Sequence, residues 1–149
     1  MKGQCGRCQC GQVSYLLLKE AVMLYTCHCL SCQKQSSSAF AMSLRMQRED
    51  VEVSGEGLRF WETAADSGAP KVCAFCGQCG SRIYHAQGHD SHTINIKPGT
   101  LDDTSWLKPQ GHIWTKRAQP WVRAMIGVNE GLPNCQEQPQ DMAEFVSGS

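Results

Sequence analysis

The segment Cys27-His28-Cys29-Leu30-Ser31-Cys32 places three thiols within six residues, in a C-x-C-x-x-C pattern. Cysteines two or three positions apart in a tight turn can bring their sulfurs onto one tetrahedral metal ion. No further cysteine or histidine follows closely. Structural zinc sites have four protein ligands, whereas catalytic zinc sites keep one position open. We therefore predict an open three-thiolate site at Cys27, Cys29 and Cys32, with a catalytic role for these residues.

The ten cysteines of the chain favour metal binding over disulfides. Several stand in C-x-C or C-x-x-C pairs, and neighbours in C-x-C can rarely close an unstrained disulfide with each other. The N-terminal residues include no apolar segment of a secretory signal. We therefore expect a reducing compartment, the cytoplasm, in which these thiols stay reduced.

Two tetrahedral sites would need eight ligands, and the closely spaced cysteines supply seven. The natural partition joins Cys8, Cys10, Cys76 and Cys79 in a closed site and leaves the other three thiols as the open one. The cofactor prediction is therefore two zinc ions per chain, one structural and one open or catalytic. We expect Gly11 and Gly80 to supply the backbone N–H groups that offset the negative charge of the closed site.

Cys5, Cys73 and Cys135 remain outside this partition. We interpret each as a small buried or half-exposed thiol. Cys5 and Cys73 also stand in C-x-x-C spacing with Cys8 and Cys76, so they remain alternatives for a ligand position.

Three other polar residues near the motifs have ordinary interpretations. If the backbone is extended at His28, its side chain points away from the metal, as a residue behind the ligands or at the surface. His112 is interpreted as a core histidine. Lys34 is interpreted as a solvated lysine, with contact to an anionic substrate group as the alternative. The four tryptophans are assigned to the core or to a pocket wall.

The chain shows many short β-type segments and no long apolar pattern of helical period, so the fold is predicted to be mainly β. Strands are expected at 13–18, 21–26, 39–44, 51–53, 58–61, 82–85 and 93–96, with a short helix or turn at 33–38. A rigid aromatic turn is expected at 119–121. Residues 1–131 are assigned to a single zinc-binding domain, and 132–149 to a polar, loosely ordered tail with one helical turn at 142–146.

Charge and hydropathy exclude two classes of partner. Acidic and basic residues balance at 14 each, so no basic footprint for nucleic acid is present. No apolar run approaches the roughly 20 residues of a membrane span. The expected partner is a small-molecule thiol, and the sequence does not determine the oligomeric state.

With these residues identified, the sequence resembles the family of glutathione-dependent formaldehyde-activating enzymes, which also includes centromere protein V. The likeness extends from about Gly6 to Trp121. Its matching segments are 6–13, 27–32, 75–81, 98–102, 112–114 and 120–121.

The resemblance implies the same partition of ligands, and a β-tent fold of coiled antiparallel sheets stabilised by zinc. It also implies the condensation of glutathione with formaldehyde, a carbon–sulfur lyase activity. The family commonly has Arg-Lys after the third site cysteine and a glycine four residues after the arginine. Here Gln33 precedes Lys34, and Ser37 stands at the glycine position.

The functional hypothesis is a zinc-dependent carbon–sulfur lyase-like enzyme acting on a thiol/aldehyde adduct, formed by glutathione and formaldehyde or a related pair. In this hypothesis, zinc presents the substrate as a thiolate. The alternatives are a non-catalytic zinc-bound carrier of a thiol or adduct, and a zinc-stabilised interaction module.

Overall fold

The computed structural model describes residues 3–65 and 68–127, together with the backbone of 135–136. These residues form mainly β structure with two short α-helices, which confirms the predicted fold class. The elements in chain order are β1 (Gln4–Arg7), β2 (Val13–Leu17), β3 (Met23–Cys27), α1 (Leu30–Ser36), β4 (Ala41–Gln47), β5 (Val51–Gly55), β6 (Leu58–Ala64), β7 (Pro70–Cys76), β8 (Arg82–Ala86), β9 (Thr93–Ile96), β10 (Gly111–Ile113), α2 (Pro120–Ile126) and β11 (Cys135–Gln136).

The chain forms two compact units, each built from two separate stretches of sequence. The first unit comprises Met1–Val22 and Leu44–Leu107, and the second comprises Met23–Ser43 and Lys108–Ser149. The four thiols of the predicted closed site all belong to the first unit, and the three thiols of the predicted open site all belong to the second.

The first unit contains antiparallel sheets. β2 pairs with β1 on one side and β5 on the other, and its residues Val13, Tyr15 and Leu17 are buried with the two-residue period of a strand. Gly6 lies opposite Tyr15 in this sheet. A Cβ at Gly6 would lie 2.2 Å from Cζ of Tyr15. Glycine is therefore required at this position, because the Tyr15 ring packs directly against the β1 backbone there.

A second antiparallel series in the first unit runs β9-β8-β7-β6, with the end of β4 (residues 44–47) paired to β9. The β7–β8 pair includes a register shift between Ala74 and Phe75. Apolar side chains of these strands form part of the core, among them Leu44, Met46, Val72, Ala74, Ile83, Ile94 and Ile96.

The second unit contains parallel pairing. β10 runs parallel to β3 and to β11, so the protein combines antiparallel and parallel strands. All five residues of β3 are buried, which is typical of a strand covered on both faces. β3 therefore delivers Cys27 from a rigid element.

The two helices differ from the sequence-based expectations. α1 begins at Leu30, so Cys32 lies within a helix that was expected only from residue 33. α2 occupies the region expected to hold only a rigid aromatic turn; it starts at Pro120 and ends before Gly127, whose φ is 73°. Proline in the first turn and a left-handed glycine after the last are favourable helix ends, and seven residues are too few for an apolar period to show.

The remaining expectations concern the ends of the chain. β1, β7, β10 and β11 were not anticipated as strands. The helical turn expected at 142–146 lies outside the described residues, and the division into a domain at 1–131 and a tail at 132–149 stays a prediction. Among the described residues, no helix is long and apolar enough to cross a membrane.

Candidate metal centres

The first unit brings together Cys8, Cys10, Cys76 and Cys79. Their sulfur atoms all lie within 4.8 Å of one another, with 3.6 Å between Cys8 and Cys10 and 3.8 Å between Cys10 and Cys76. Four sulfurs placed about 2.3 Å from one zinc ion at tetrahedral corners lie about 3.8 Å apart. The spacing and the thiol chemistry of this four-cysteine cluster therefore fit one zinc ion.

Backbone and hydroxyl donors face the sulfurs of the four-cysteine cluster. The Val13 N–H donates to Sγ of Cys8 at 3.3 Å. The Ser81 hydroxyl lies 3.3 Å from Sγ of Cys79 and accepts a hydrogen bond of 3.1 Å from the Gln9 N–H. Because that contact occupies a lone pair of the oxygen, the hydroxyl hydrogen is available to the sulfur. Ser81 ends the matching segment 75–81, but the sequence assigned it no role.

The two glycines expected to donate to sulfur have a different role. The N–H of Gly11 donates to the Cys8 carbonyl at 3.0 Å, and the N–H of Gly80 donates to the Cys76 carbonyl at 2.8 Å. Both glycines have a positive φ, 82° and 79°. They turn the chain so that the N–H groups of later residues reach the sulfurs, and the prediction that they are the donors is wrong.

The pKa values within this cluster move in opposite directions. Hydrogen bonds from the hydroxyl and the N–H of Ser81 lower the pKa of Cys79 to about 5. The Gln12 N–H acts to lower the pKa of Cys10, but burial and the neighbouring sulfurs outweigh it and raise that pKa to about 12. Ionisation of one sulfur therefore opposes ionisation of its neighbours, and a cation bound among the four sulfurs would offset that repulsion.

The second unit brings together Cys27, Cys29 and Cys32. Their sulfurs also lie within 4.8 Å of one another, and no fourth side chain among the described residues joins the group. Cys27 ends β3, Cys29 caps α1, and the Cys32 N–H donates to Sγ of Cys29 at 3.3 Å. The first turn of a helix favours a thiolate at this position.

Apolar side chains surround this three-cysteine cluster. Cys27 and Cys32 are buried in one hydrophobic cluster together with Met23, Tyr25, Ala41 and Ile113, and Trp114 packs against it. The Cys29 and Cys32 thiols, and then burial, raise the pKa of Cys27. The three sulfurs are therefore held close together in apolar surroundings. A bound cation would favour the ionised form of their thiols.

The alternative ligands Cys5 and Cys73 do not join either cluster. Cys5 is exposed and Cys73 is buried. Cys73 and Cys76 both lie on β7, three residues apart, so their side chains point to opposite faces of the strand. The side chain of Cys135 lies outside the described residues.

Residues 4–117 match the sequence profile of the family described as glutathione-dependent formaldehyde-activating enzyme. The match spans most of the chain and includes both cysteine clusters. The chain belongs to this family. Membership indicates a function related to glutathione and formaldehyde.

One solved structure similar to this family member is the crystal structure of a Rhodobacter sphaeroides protein determined as a structural genomics target. The two chains are 19% identical with a TM-score of 0.50, over 71% of this chain and 92% of the other. A likeness at this identity concerns the fold alone. Among curated proteins, none matches this sequence.

In this member of the formaldehyde-activating family, His28 is fully buried rather than at the surface. Its Nε2 lies 2.9 Å from the Thr26 hydroxyl, which also lies 2.5 Å from Nδ1 of His112. Its ring packs against Phe40 at 5.2 Å. Burial lowers the pKa of His28 to about 4, so its imidazole is neutral. His28 belongs to the segment 27–32, which we call the thiol turn, but its side chain is not part of the three-cysteine cluster.

Gln33 stands where the family commonly has arginine, and its side chain hydrogen-bonds to the thiol turn. Its amide nitrogen donates to the His28 carbonyl at 2.9 Å and to the Arg117 carbonyl at 3.0 Å. Its amide oxygen accepts from the Gln119 side chain at 3.3 Å. The residue therefore links the turn to the segment that leads into α2.

The helix that carries Cys32 also borders a groove of about 440 Å³. Trp121 forms part of the groove wall and is 57% exposed, whereas Trp61, expected in the core or a pocket wall, is 50% exposed on the edge strand β6. The residues that line the groove are Gln33, Lys34, Ser37, Ser38, Ala39, Gln119 and Trp121.

Proposed function

We propose that this protein is a zinc-dependent carbon–sulfur lyase-like enzyme that acts on the adduct of a thiol and an aldehyde. Glutathione and formaldehyde, or a related pair, are the proposed substrates. The reaction joins the thiol sulfur to the aldehyde carbon, with the thiol proton ending on the aldehyde oxygen, or breaks that bond in reverse. The observation that carries the proposal is the three-cysteine cluster, which offers three sulfurs where a closed site needs four.

Cys27, Cys29 and Cys32 would hold the ion. Zinc held by these three cysteines would leave one ligand position for a substrate thiol and would lower the pKa of that thiol, so that a thiolate would be available at neutral pH. Three cysteine sulfurs already donate strongly to the ion, so this donor set suits thiolate delivery better than activation of a carbonyl.

The surrounding residues support thiol binding in two ways. Apolar side chains bury Cys27 and Cys32, and Cys29 is partly buried, so the site is less polar than water and electrostatic interactions there are stronger. The groove beside α1 presents the Lys34 ammonium and the Trp121 ring, which can contact the remainder of a peptide-like thiol. Lys34 is the candidate partner for a carboxylate of that thiol.

The four-cysteine cluster has a structural role in this proposal. Cys8 and Cys10 lie in one turn and Cys76 and Cys79 in another, so a zinc ion would cross-link two distant segments of the first unit. Such an ion contributes folding free energy directly. None of the nine cysteines whose side chains are described forms a disulfide, and a reducing cytoplasm, the compartment we propose, would keep the seven clustered cysteines available to zinc.

The test measures turnover by exchange NMR with ¹³C-formaldehyde and glutathione. The expected result is exchange between free and adduct formaldehyde that is faster than in a protein-free control and that accelerates in proportion to the concentration of zinc-loaded protein. Cys29→Ser should abolish the acceleration. Cys5→Ser, which changes an exposed cysteine outside both clusters, is the matched control and should keep it.

A second readout addresses the open ligand position without relying on turnover. In protein loaded with cobalt, glutathione should change the absorption of the tetrahedral ion, and Cys27→Ser should abolish that change. A spectral change without accelerated exchange would overturn the enzyme and leave a thiol carrier. No change up to millimolar thiol would indicate a structural site, as in an interaction module.

A further inference from the structure

The central strands of the first unit carry an unbalanced set of positive charges. β4, β7, β8 and β9 contain Arg45, Lys71 and Arg82 and no aspartate or glutamate, and Lys97 directly follows β9. The chain as a whole has a formal net charge of zero. The positive charges are therefore concentrated on these strands, although the whole chain has no net charge.

Strand register places His85 at the centre of a row of side chains on one face. His85 lies opposite Cys73 on β7 and opposite Asn95 on β9, and Asn95 lies opposite Arg45 on β4. Residues directly opposite each other in paired strands project from the same face of a sheet. The row Arg45-Asn95-His85-Cys73 therefore crosses four strands on a single face.

The other three cations extend from the same face. Lys71 lies two residues from Cys73, and Lys97 lies two residues from Asn95, so side-chain alternation directs both to the face of the row. Arg82 lies opposite Phe75 because of the register shift after Ala74. Phe75 is two residues from Cys73 and therefore projects from the same face. Because Arg82 lies opposite Phe75, Arg82 projects from this face as well. We call Arg45, Lys71, Arg82, His85 and Lys97 the cationic face.

The electrostatics of His85 agree with this geometry. Burial, followed by the charges of Lys97, Lys71, Arg82 and Arg45, holds the pKa of His85 well below its usual value. The imidazole is therefore neutral at physiological pH, and all four cations act on it. Like charges gathered on one face create a positive potential that attracts small anions.

Two buried nitrogen atoms of the cationic face have no hydrogen-bond partner among the described residues: Nδ1 of His85 and Nε of Arg82. The Nε of arginine is always a donor, and Nδ1 of a neutral imidazole is a donor in one tautomer. Buried polar groups are nearly always satisfied, so each exception needs an explanation. A bound oxygen ligand would supply the missing acceptor.

We propose that the cationic face binds a small oxyanion, either a carboxylate or a phosphate group. Arg45, Lys71 and Lys97 supply positive charge, and Arg82 Nε and His85 Nδ1 donate hydrogen bonds to its oxygens. Arg45, Lys71, Arg82 and His85 are only partly buried, so the anion can reach them from solvent. The proposal concerns the first unit alone and does not depend on the function proposed for the three-cysteine cluster.

The test titrates the zinc-loaded full-length protein with inorganic phosphate and, separately, with succinate. Ionic strength is held constant with sodium chloride so that general screening does not change. The readouts are calorimetry and the ring ¹⁵N signals of His85. We expect saturable binding of one anion with a shift of the His85 signals, and the arm that saturates at lower concentration identifies the anion class.

Variants locate the site. Lys71→Gln and Arg82→Gln should each weaken binding roughly tenfold or more, because hydrogen bonds and ion pairs to charged groups are the strong ones. Lys71→Arg, which keeps the charge, should retain binding. Lys108→Gln changes an exposed lysine of the second unit and is the matched control, which should bind as the wild type does.

Two results would overturn the proposal. One is the absence of saturable binding or of a His85 shift in the wild-type protein with both anions. The other is an equal loss of affinity in Lys108→Gln and Lys71→Gln, which would mean a response to net charge. The wild-type titration decides the matter even where a variant fails to fold.

Discussion

The side chain of Gln33 donates a hydrogen bond of 2.9 Å to the carbonyl of His28, the residue between Cys27 and Cys29. The same amide reaches the Arg117 carbonyl and accepts from Gln119. An arginine, common at this position in the family, has no acceptor and could not receive the Gln119 bond. In this protein, a neutral side chain therefore sets the position of the thiol turn.

Gln33→Ala should loosen the thiol turn. Loss of its bonds to backbone carbonyls should lower the free energy of unfolding by about 1–2 kcal/mol, and metal should dissociate faster from the three-cysteine cluster. Chemical denaturation and chelator competition measure the two effects. Gln35→Ala, on the same helix, is the control, and equal behaviour of the two variants would contradict the role of Gln33.

Ser37→Gly should stabilise the protein. Ser37 ends α1 with φ 51° and ψ 39°, a left-handed conformation that costs a non-glycine residue about 1 kcal/mol. Glycine removes that cost, so the free energy of unfolding should rise by roughly 1 kcal/mol. Ser38→Gly is the control, since Ser38 does not have a positive φ. A gain no larger than that of the control would argue against strain at Ser37.

Ser81→Ala should weaken metal binding at the four-cysteine cluster. The hydroxyl that faces Cys79 is lost, and removal of a group that supports a metal ligand typically costs about tenfold or more in affinity. Competition with a chromophoric chelator measures the change. Ser14→Ala, on β2 of the same unit, should leave affinity unchanged, and unaltered affinity in Ser81→Ala would show that the hydroxyl is dispensable.

The two clusters should respond differently to loss of one thiol. The wild-type protein should contain close to two zinc ions per chain by elemental analysis, because the clusters form two sites. Cys79→Ser should greatly reduce soluble, folded protein, since its site joins distant segments. Cys29→Ser should stay folded with about one zinc ion. Equal collapse in thermal melts would mean that the three-cysteine cluster is structural too.

Tyr15 should respond to alkaline pH. Burial raises its pKa to about 12, although the hydrogen bond with Thr100 acts to lower it. The unfolded chain loses this proton near pH 10 and the folded protein does not, so the free energy of unfolding should fall as pH rises from about 10 to about 12. The difference in absorbance at about 295 nm between wild type and Tyr15→Phe reports this phenol. A pKa of Tyr15 near 10 in the folded protein would contradict this prediction.

The sequence by itself determined the elements that depend on near neighbours. Residues 13–18, which are rich in β-forming side chains, were predicted as the strand that is β2, and residues 93–96 were predicted as a strand with the bounds of β9. The pairs at 8/10 and 76/79 could be grouped because two thiols so close along the chain have few ways to separate. The role of these cysteines as ligands stays a prediction, and their grouping in space agrees with it.

Tertiary structure decided which polar groups meet. The donors to the sulfurs proved to be Val13 and Ser81 rather than the adjacent glycines, because positive φ redirects the following N–H groups. Gln33 meets Arg117, which lies 84 positions away, and the cationic face depends on the register of four strands. Spacing along the chain limits contacts only within a few residues, whereas pairing between distant segments depends on the packing of the whole unit.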